Sequence, residues 1–243
     1  MKRQFADLHL ILKSNKIDEN IQLIKKIKFL GYNLLGFSSN NSLDKHSINL
    51  LRDLCKNLEI DYISRIDLSP KTRNELKIKL RKVRRKYEIV CVKCKTKEIA
   101  RQAAQDRRVD LINFPSLSFR NRFFDRNEAE LVSNNLTAFE IDAKPLLVLY
   151  GSLRAKIISL LRRETVIAND FHVPIVLSSG ISESILLRKP REIAALMFLL
   201  DMDQTSALDT ISTNPNTIVL RNREKLKSSF VAPGIRIIKE GDC

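Results

Sequence analysis

The sequence predicts an α/β barrel of parallel strands, and three observations carry that expectation. Short apolar runs rich in β-branched residues recur seven times, segments of helical periodicity separate them, and no Gly/Ser-rich or Pro-rich linker interrupts the alternation. A doubly wound open sheet is the alternative reading. Its usual glycine-rich first turn is missing, because Lys13-Ser14-Asn15 follows the first apolar run.

The elements follow in order. A strand is expected over residues 5–12 and a helix over 17–30, with Gly31 suited to cap the helix C-terminus just before the next strand. The second strand is expected over 32–37, and its helix over 43–58, where Leu43, Leu50, Leu51, Leu54 and Leu58 form one apolar stripe. Strands over 61–68, 88–94 and 111–114 are expected to be followed by helices over 71–86, 96–107 and 127–135. A strand over 138–141 precedes a helix over 153–171, and a strand over 174–177 precedes a helix over 190–200 that Pro190 opens. The eighth strand is weakly marked: 217–220 is the candidate, after a short helix over 205–212, so the TIM-like barrel is expected to be distorted or incompletely closed.

The 243 residues, 44% of them hydrophobic, suffice for one domain spanning 1–243 with a full core. No apolar run approaches the roughly 18 residues of a membrane span, and no apolar signal core opens the chain. A soluble, cytoplasmic protein is expected, with its four cysteines reduced. The 43 Lys and Arg against 28 Asp and Glu give a formal charge of +15, which favours a polyanionic partner such as nucleic acid. An anionic membrane is the rival partner, but the chain has no Trp and only 6% aromatic residues to anchor an interfacial helix.

Catalytic side chains are sparse. Asp7 and His9 on the first strand are expected to share a face by alternation, inside the barrel, as in metal-dependent phosphoesterases. Such an enzyme needs further imidazoles and carboxylates to hold its metals, and only His9, His46 and His172 exist. Asp67, Glu140 and Asp142 are candidate metal carboxylates near the rim, or else partners of structural ion pairs. Cys91 and Cys94 resemble a metal or redox pair, yet residues three apart on a strand point to opposite faces, so packing is expected.

Positive charge is the stronger signal. Residues 71–86 carry nine basic residues, among them Arg81, Arg84 and Arg85, against Glu75 alone. Leu76, Leu80, Val83 and Tyr87 recur on one side, so this helix docks by a stripe and is basic elsewhere. Arg120, Arg122 and Arg126 interleave with Phe119, Phe123 and Phe124. That loop either stacks on unpaired bases or folds back over its own phenylalanines. The rim of βα loops is read at 38–40, 67–70, 93–95, 113–116, 142–144 and 178–180, mostly small polar groups.

A succession of local sequences resembles the ribonuclease P protein component 3 family, the archaeal counterpart of the thirty-kilodalton RNase P subunit of eukaryotes. The stretches are Phe5-Ala6-Asp7-Leu8, GYNLLGFS over 31–38, Ser64-Arg65-Ile66-Asp67-Leu68, 110–114 and Phe139-Glu140-Ile141. Then come Ile175-Val176-Leu177-Ser178-Ser179-Gly180, Leu187-Arg188-Lys189-Pro190-Arg191-Glu192 and Ile218-Val219-Leu220-Arg221-Asn222. The family often has alanine after Ser-Ser-Gly, where Ile181 stands here. The resemblance covers nearly the whole chain and implies an α/β barrel related to metal-dependent phosphoesterases without their full ligand set.

It further implies a protein subunit of the ribonucleoprotein that removes the 5′ leader from precursor tRNA. Catalysis there belongs to the RNA with its Mg²⁺, and this chain binds no cofactor itself. The implied partners are RNase P RNA, precursor tRNA, the small component 2 protein and the other protein subunits. On this reading no residue is catalytic, and the candidate RNA contacts are Arg65, Arg81, Arg84, Arg85, Arg107, Arg120, Arg122, Arg154, Arg188 and Arg191. Arg65, Arg107, Arg154, Arg188 and Arg191 are chosen because they lie next to rim loops or helix starts. The alternative is a metal-dependent phosphoesterase working through Asp7, His9, Asp67 and Asp142.

Overall fold

Seven parallel strands run in strict sequential order around a nearly closed barrel, which excludes the doubly wound alternative. The computed structural model describes residues 3–14, 16–38, 44–115, 119–232 and 235–236. The strands are β1 (Ala6–Leu10), β2 (Leu34–Ser38), β3 (Asp61–Leu68), β4 (Ile89–Lys93), β5 (Leu111–Asn113), β6 (Ala138–Asp142) and β7 (Ile175–Ser178). Between them lie α1 (Ile17–Leu30), α2 (Lys45–Asn57), α3 (Arg73–Val83), α4 (Lys97–Gln105), α5 (Arg126–Asn134), the short α6 (Lys144–Val148) and α7 (Gly151–Asp170). Rim residues 39–40 and 116, and Leu43 of the expected leucine stripe, lie outside the described residues.

Local chemistry explains where these helices start. Thr72, Thr96 and Asp125 each accept the backbone N–H three residues on, which satisfies orphan donors in the first turns of α3, α4 and α5. Gly31 ends α1 in the left-handed conformation, φ 98°, that glycine adopts without steric cost.

Alternation along the strands sorts the core into two layers. Leu8, Leu34, Ile63, Cys91, Leu111, Ala138 and Val176 fill the barrel interior, while Leu10, Phe37, Val90, Val92, Ile112 and Phe139 pack outward against the helices. Cys91 belongs to the inner layer and Cys94 to the outer, as the spacing predicts.

The end of the chain departs from expectation. The helix expected over 190–200 is α8 (Pro190–Ala194) continued by a 3-10 segment, Ala195–Leu200, and α9 (Gln204–Asp209) follows. Residues 217–220 are not an eighth strand; they lie inside α10 (Thr213–Leu226). Pro215, Ile218, Val219 and Asn222 are its buried residues, a helical i, i+3, i+4, i+7 stripe that overrides the strand propensity of Thr217, Ile218 and Val219. Ile218 and Val219 enter the barrel interior, where a strand would have supplied alternate side chains.

Closure is therefore made without an eighth strand. At one end the Thr210 and Ile211 carbonyls accept from Leu177 and Ala6 N–H, and at the other Gly180 N–H donates to the His9 carbonyl. Ile181, fully buried, bridges Leu10 in parallel, so the larger side chain at this position seals the seam between β7 and β1. A small antiparallel hairpin, β8 (Phe230–Ala232) with β9 (Ile235–Arg236), follows α10. No helix among the described residues is long and apolar enough to cross a membrane.

Candidate functional site

The C-terminal half of the barrel interior is polar, and its arrangement begins with an irregularity in β1. Asp7 is paired with Leu35 and Leu10 with Phe37, so β1 holds one extra residue, a β-bulge. Leu8 and His9 both turn inward as a result, and Asp7 is turned away from the axis, aligned with Leu35. The expected shared face of Asp7 and His9 is thus corrected by the bulge. Asp7 instead stabilises it: Oδ1 accepts N–H groups from His9 at 3.2 Å and Ser179 at 3.0 Å. Burial raises the Asp7 pKa above the ordinary carboxylate value.

Gly36 on β2 makes room for the bulge. A Cβ there would lie 2.7 Å from the Leu8 carbonyl oxygen, closer than packed atoms allow. Gly36→Ala is therefore expected to cost about 1–3 kcal/mol of stability, as forced overpacking does, measurable by urea denaturation. An unchanged midpoint would refute the close approach.

That carbonyl has a partner. Arg65, on β3 and wholly buried, donates to Leu8 O at 2.9 Å, to both oxygens of Glu140 at 2.5 and 2.7 Å, and to Asp67 Oδ1 at 2.8 Å. His9 Nδ1 meets Asp142 Oδ1 at 2.6 Å, while Nε2 lies 3.2 Å from Asp67 Oδ2, which Lys93 Nζ also approaches at 3.2 Å. Ser178, Cys91 and Asn113 donate to Glu140, and Asn113 also to Asp142. Three carboxyl groups thus face three cationic side chains.

The electrostatics follow from this pairing. Burial alone would lower the His9 pKa, but the Asp142 and Asp67 carboxylates together outweigh it and push the imidazole up to about 10. Burial alone would raise Asp67, yet Arg65, with His9 and Lys93, holds it well below the usual range. Asp142 is likewise lowered against burial by His9. Asp67 and Glu140 form the expected ion pairs with arginine and lysine of the barrel, and Asp142 pairs with His9.

His9, Glu140 and Asp142 offer ligand atoms within 4.8 Å of one another, the geometry of a metal group. Side chains of the protein already compete for several of these ligand atoms. A metal-bound imidazole must present a free lone pair; His9 Nδ1 is taken by Asp142, whereas Nε2, though 3.2 Å from Asp67 Oδ2, makes no hydrogen bond among the described residues. The Arg65 guanidinium already occupies the carboxylates of Glu140 and Asp67. Asp7, needed by the phosphoesterase alternative, faces away.

The ten arginines expected to meet RNA separate into distinct positions. Arg65 is corrected outright: it is buried at the barrel centre and reaches no partner outside. Arg122 is corrected too, being nearly buried, forked onto Glu164 of α7, with Nη1 donating to Phe114 O at 2.6 Å. The loop folds back over its own aromatics: Phe124 is buried and stacks on Phe139 at 4.4 Å between ring centroids. Arg84 is half-buried between Asp110 and Asn222.

Arg120, Arg154 and Arg191 are exposed toward the βα-loop end, and Arg188 there is half-buried, donating to the Ile185 and Leu187 carbonyls. Arg81, Arg85 and Arg107 are exposed, but helices return antiparallel to strands, so these helix-end residues belong to the opposite end of the barrel. Arg107 follows α4 and does not border the βα rim, contrary to expectation. Sequence reading missed the C-terminal half of α10 and its C-cap, where Arg221, Arg223, Lys225 and then Lys227 add to this second basic end. A helical stripe through Pro215, Ile218, Val219 and Asn222 was the available signal.

Comparison with known proteins agrees with this architecture. The ribonuclease P protein component 3 of Methanosarcina barkeri is 28% identical over 91% of this chain and 90% of its own length. That of Methanocaldococcus jannaschii is 24% identical over 92% and 94%. A chain from a cryo-electron microscopy structure of archaeal ribonuclease P with mature tRNA superposes with a TM-score of 0.84 at 23% identity, over 98% of this chain and 99% of that one. A putative prolidase from Bifidobacterium longum shares the barrel more distantly, at a TM-score of 0.58 and 12% identity, over 90% of this chain and 70% of that one. With residues 4–227 matching the family described as RNase P subunit p30, the chain belongs to that family of ribonuclease P protein subunits.

Proposed function

We propose that this chain is a non-catalytic, RNA-contacting subunit of a cytoplasmic ribonuclease P, supporting the catalytic RNA as it removes the 5′ leader from precursor tRNA. The observation that carries the reading is Arg65: where a barrel enzyme would hold its reacting centre, a buried guanidinium joins Glu140, Asp67 and the Leu8 carbonyl. Mg²⁺ is then a requirement of the RNA. The outer surface, carrying the excess of a +15 chain, screens phosphate repulsion as the RNA folds. Family membership supports pairing with component 2 and assembly with further protein subunits.

Reconstitution tests this. Precursor-tRNA cleavage by RNase P RNA and component 2 at limiting Mg²⁺ is expected to rise when this chain is added, and to vanish without the RNA. Phosphodiester hydrolysis by the chain alone with Mn²⁺ or Zn²⁺, lost in an Asp142→Asn variant, would overturn the reading in favour of a metal-dependent phosphoesterase.

A further inference from the structure

The second basic end of the barrel contains a cavity of about 470 Å³ between the C-terminal ends of α3 and α10. Arg84, Arg85, Lys225 and Lys227 line it, and Phe230 of β8 forms part of its wall. We infer that this cavity is a phosphate-binding site for the backbone of an RNA strand, an assignment that rests on the ribonuclease P reading and places one RNA contact away from the βα rim.

The charges on its walls are not balanced. Asp110, buried behind Arg84, is shared between Arg84 at 3.0 Å and Arg221 at 3.4 Å, and also accepts the Val90 N–H. Glu224 is engaged by Lys227. Among the described residues, Arg84, Arg85, Arg221, Lys225 and Lys227 in and beside the cavity therefore meet only Asp110 and Glu224, and Arg85 and Lys225 have no carboxylate within ion-pair distance. Burial, reinforced by the nearby Arg221 and Arg84, lowers the Lys225 pKa, so the half-buried ammonium is held against like charge.

Helix ends explain part of this pattern, since cations near a C-terminus interact favourably with the helix dipole. Arg81 and Lys82 in α3 and Arg223 in α10 fit that explanation as exposed or acid-paired groups. It leaves Lys225 near Arg84 and Arg221, with Asp110 acting on it only at a distance and no ion-pair partner among the described residues. An anion seated between Lys225 and Arg85 removes the repulsion, and the cavity is larger than one phosphate group needs. The aromatic wall suits a nucleotide, whose base can lie on Phe230 while its phosphate meets the cations.

The test is equilibrium binding of the full chain to labelled RNase P RNA across a salt series. A Lys225→Gln/Arg85→Gln variant is compared with a Lys25→Gln/Lys56→Gln control, which removes two exposed charges from α1 and α2. The inference expects the cavity variant to lower the salt slope by about 2 and weaken binding, with the control unchanged. Equal behaviour of both variants, with wild-type binding intact, would overturn the cavity assignment and leave the subunit reading standing. Failure of the wild-type chain to bind the RNA would overturn both. Competition by millimolar inorganic phosphate, beyond that of chloride at equal ionic strength, would mark a free-phosphate site and refute the RNA backbone as its ligand.

Discussion

Replacing Arg65 by Met is expected to destabilise the protein by about 3–5 kcal/mol, the cost of leaving buried partners of an ion pair uncompensated. Glu140 would lose both guanidinium contacts, Asp67 its Nε donor, and the Leu8 carbonyl its Nη1 donor. The effect is separable from simple loss of packing because Met retains most of the aliphatic volume. Adding Glu140→Gln to Arg65→Met is expected to recover part of the loss, giving a favourable coupling in a double-mutant cycle by chemical denaturation. Strictly additive losses would mean that the pair is not the source of the cost. The same variants bear on function: if the cluster only holds the barrel together, precursor-tRNA cleavage should follow the folded fraction and not fall further.

The strand-helix alternation was legible because it repeats with short apolar runs and local caps. Residues 17–30 and 61–68 coincide with α1 and β3 to the residue. The seam was harder to read. Thr217, Ile218 and Val219 favour strands, and only the burial of Ile218 and Val219 in the barrel, with Asn222 Nδ2 bonded to the Glu88 carbonyl, makes the helix prevail. The bulge in β1 is a tertiary feature as well, for its warrant lies in Gly36 on a different strand and in the Ser179 N–H beyond β7.

The polar centre was half legible. Histidine scarcity argued against a metal cluster, and the carboxylates were recognisable as ion-pair candidates. That Arg65 would supply the answering charge was not legible, since arginine on a barrel strand next to a rim loop reads equally well as a nucleic-acid contact. Burial decides between the two: a guanidinium with four satisfied hydrogen bonds at the axis is part of the core. Arg122 illustrates the same ambiguity, its aromatic neighbours belonging to the core and not to a stacking platform.

The second large effect is a pH dependence of stability set by His9. The folded imidazole, with its pKa pushed up to about 10 by Asp142 and Asp67 against burial, binds its proton far more tightly than the unfolded value of 6.5 allows. A raised folded pKa means that the stabilisation is fully present below about pH 6.5 and is lost as pH rises through about 10. Between those limits the unfolding free energy is expected to fall by about 1.4 kcal/mol per pH unit, several kcal/mol in all. Denaturant midpoints at pH 7, 8.5 and 10 check this. Wild type should lose stability steadily, whereas His9→Gln, less stable at pH 7 because Asp142 and Asp67 lose a cationic neighbour, should show a flatter profile. Parallel profiles would mean that His9 is neutral in the folded protein, which would free a ring nitrogen and return the His9, Glu140 and Asp142 group to consideration as a metal site.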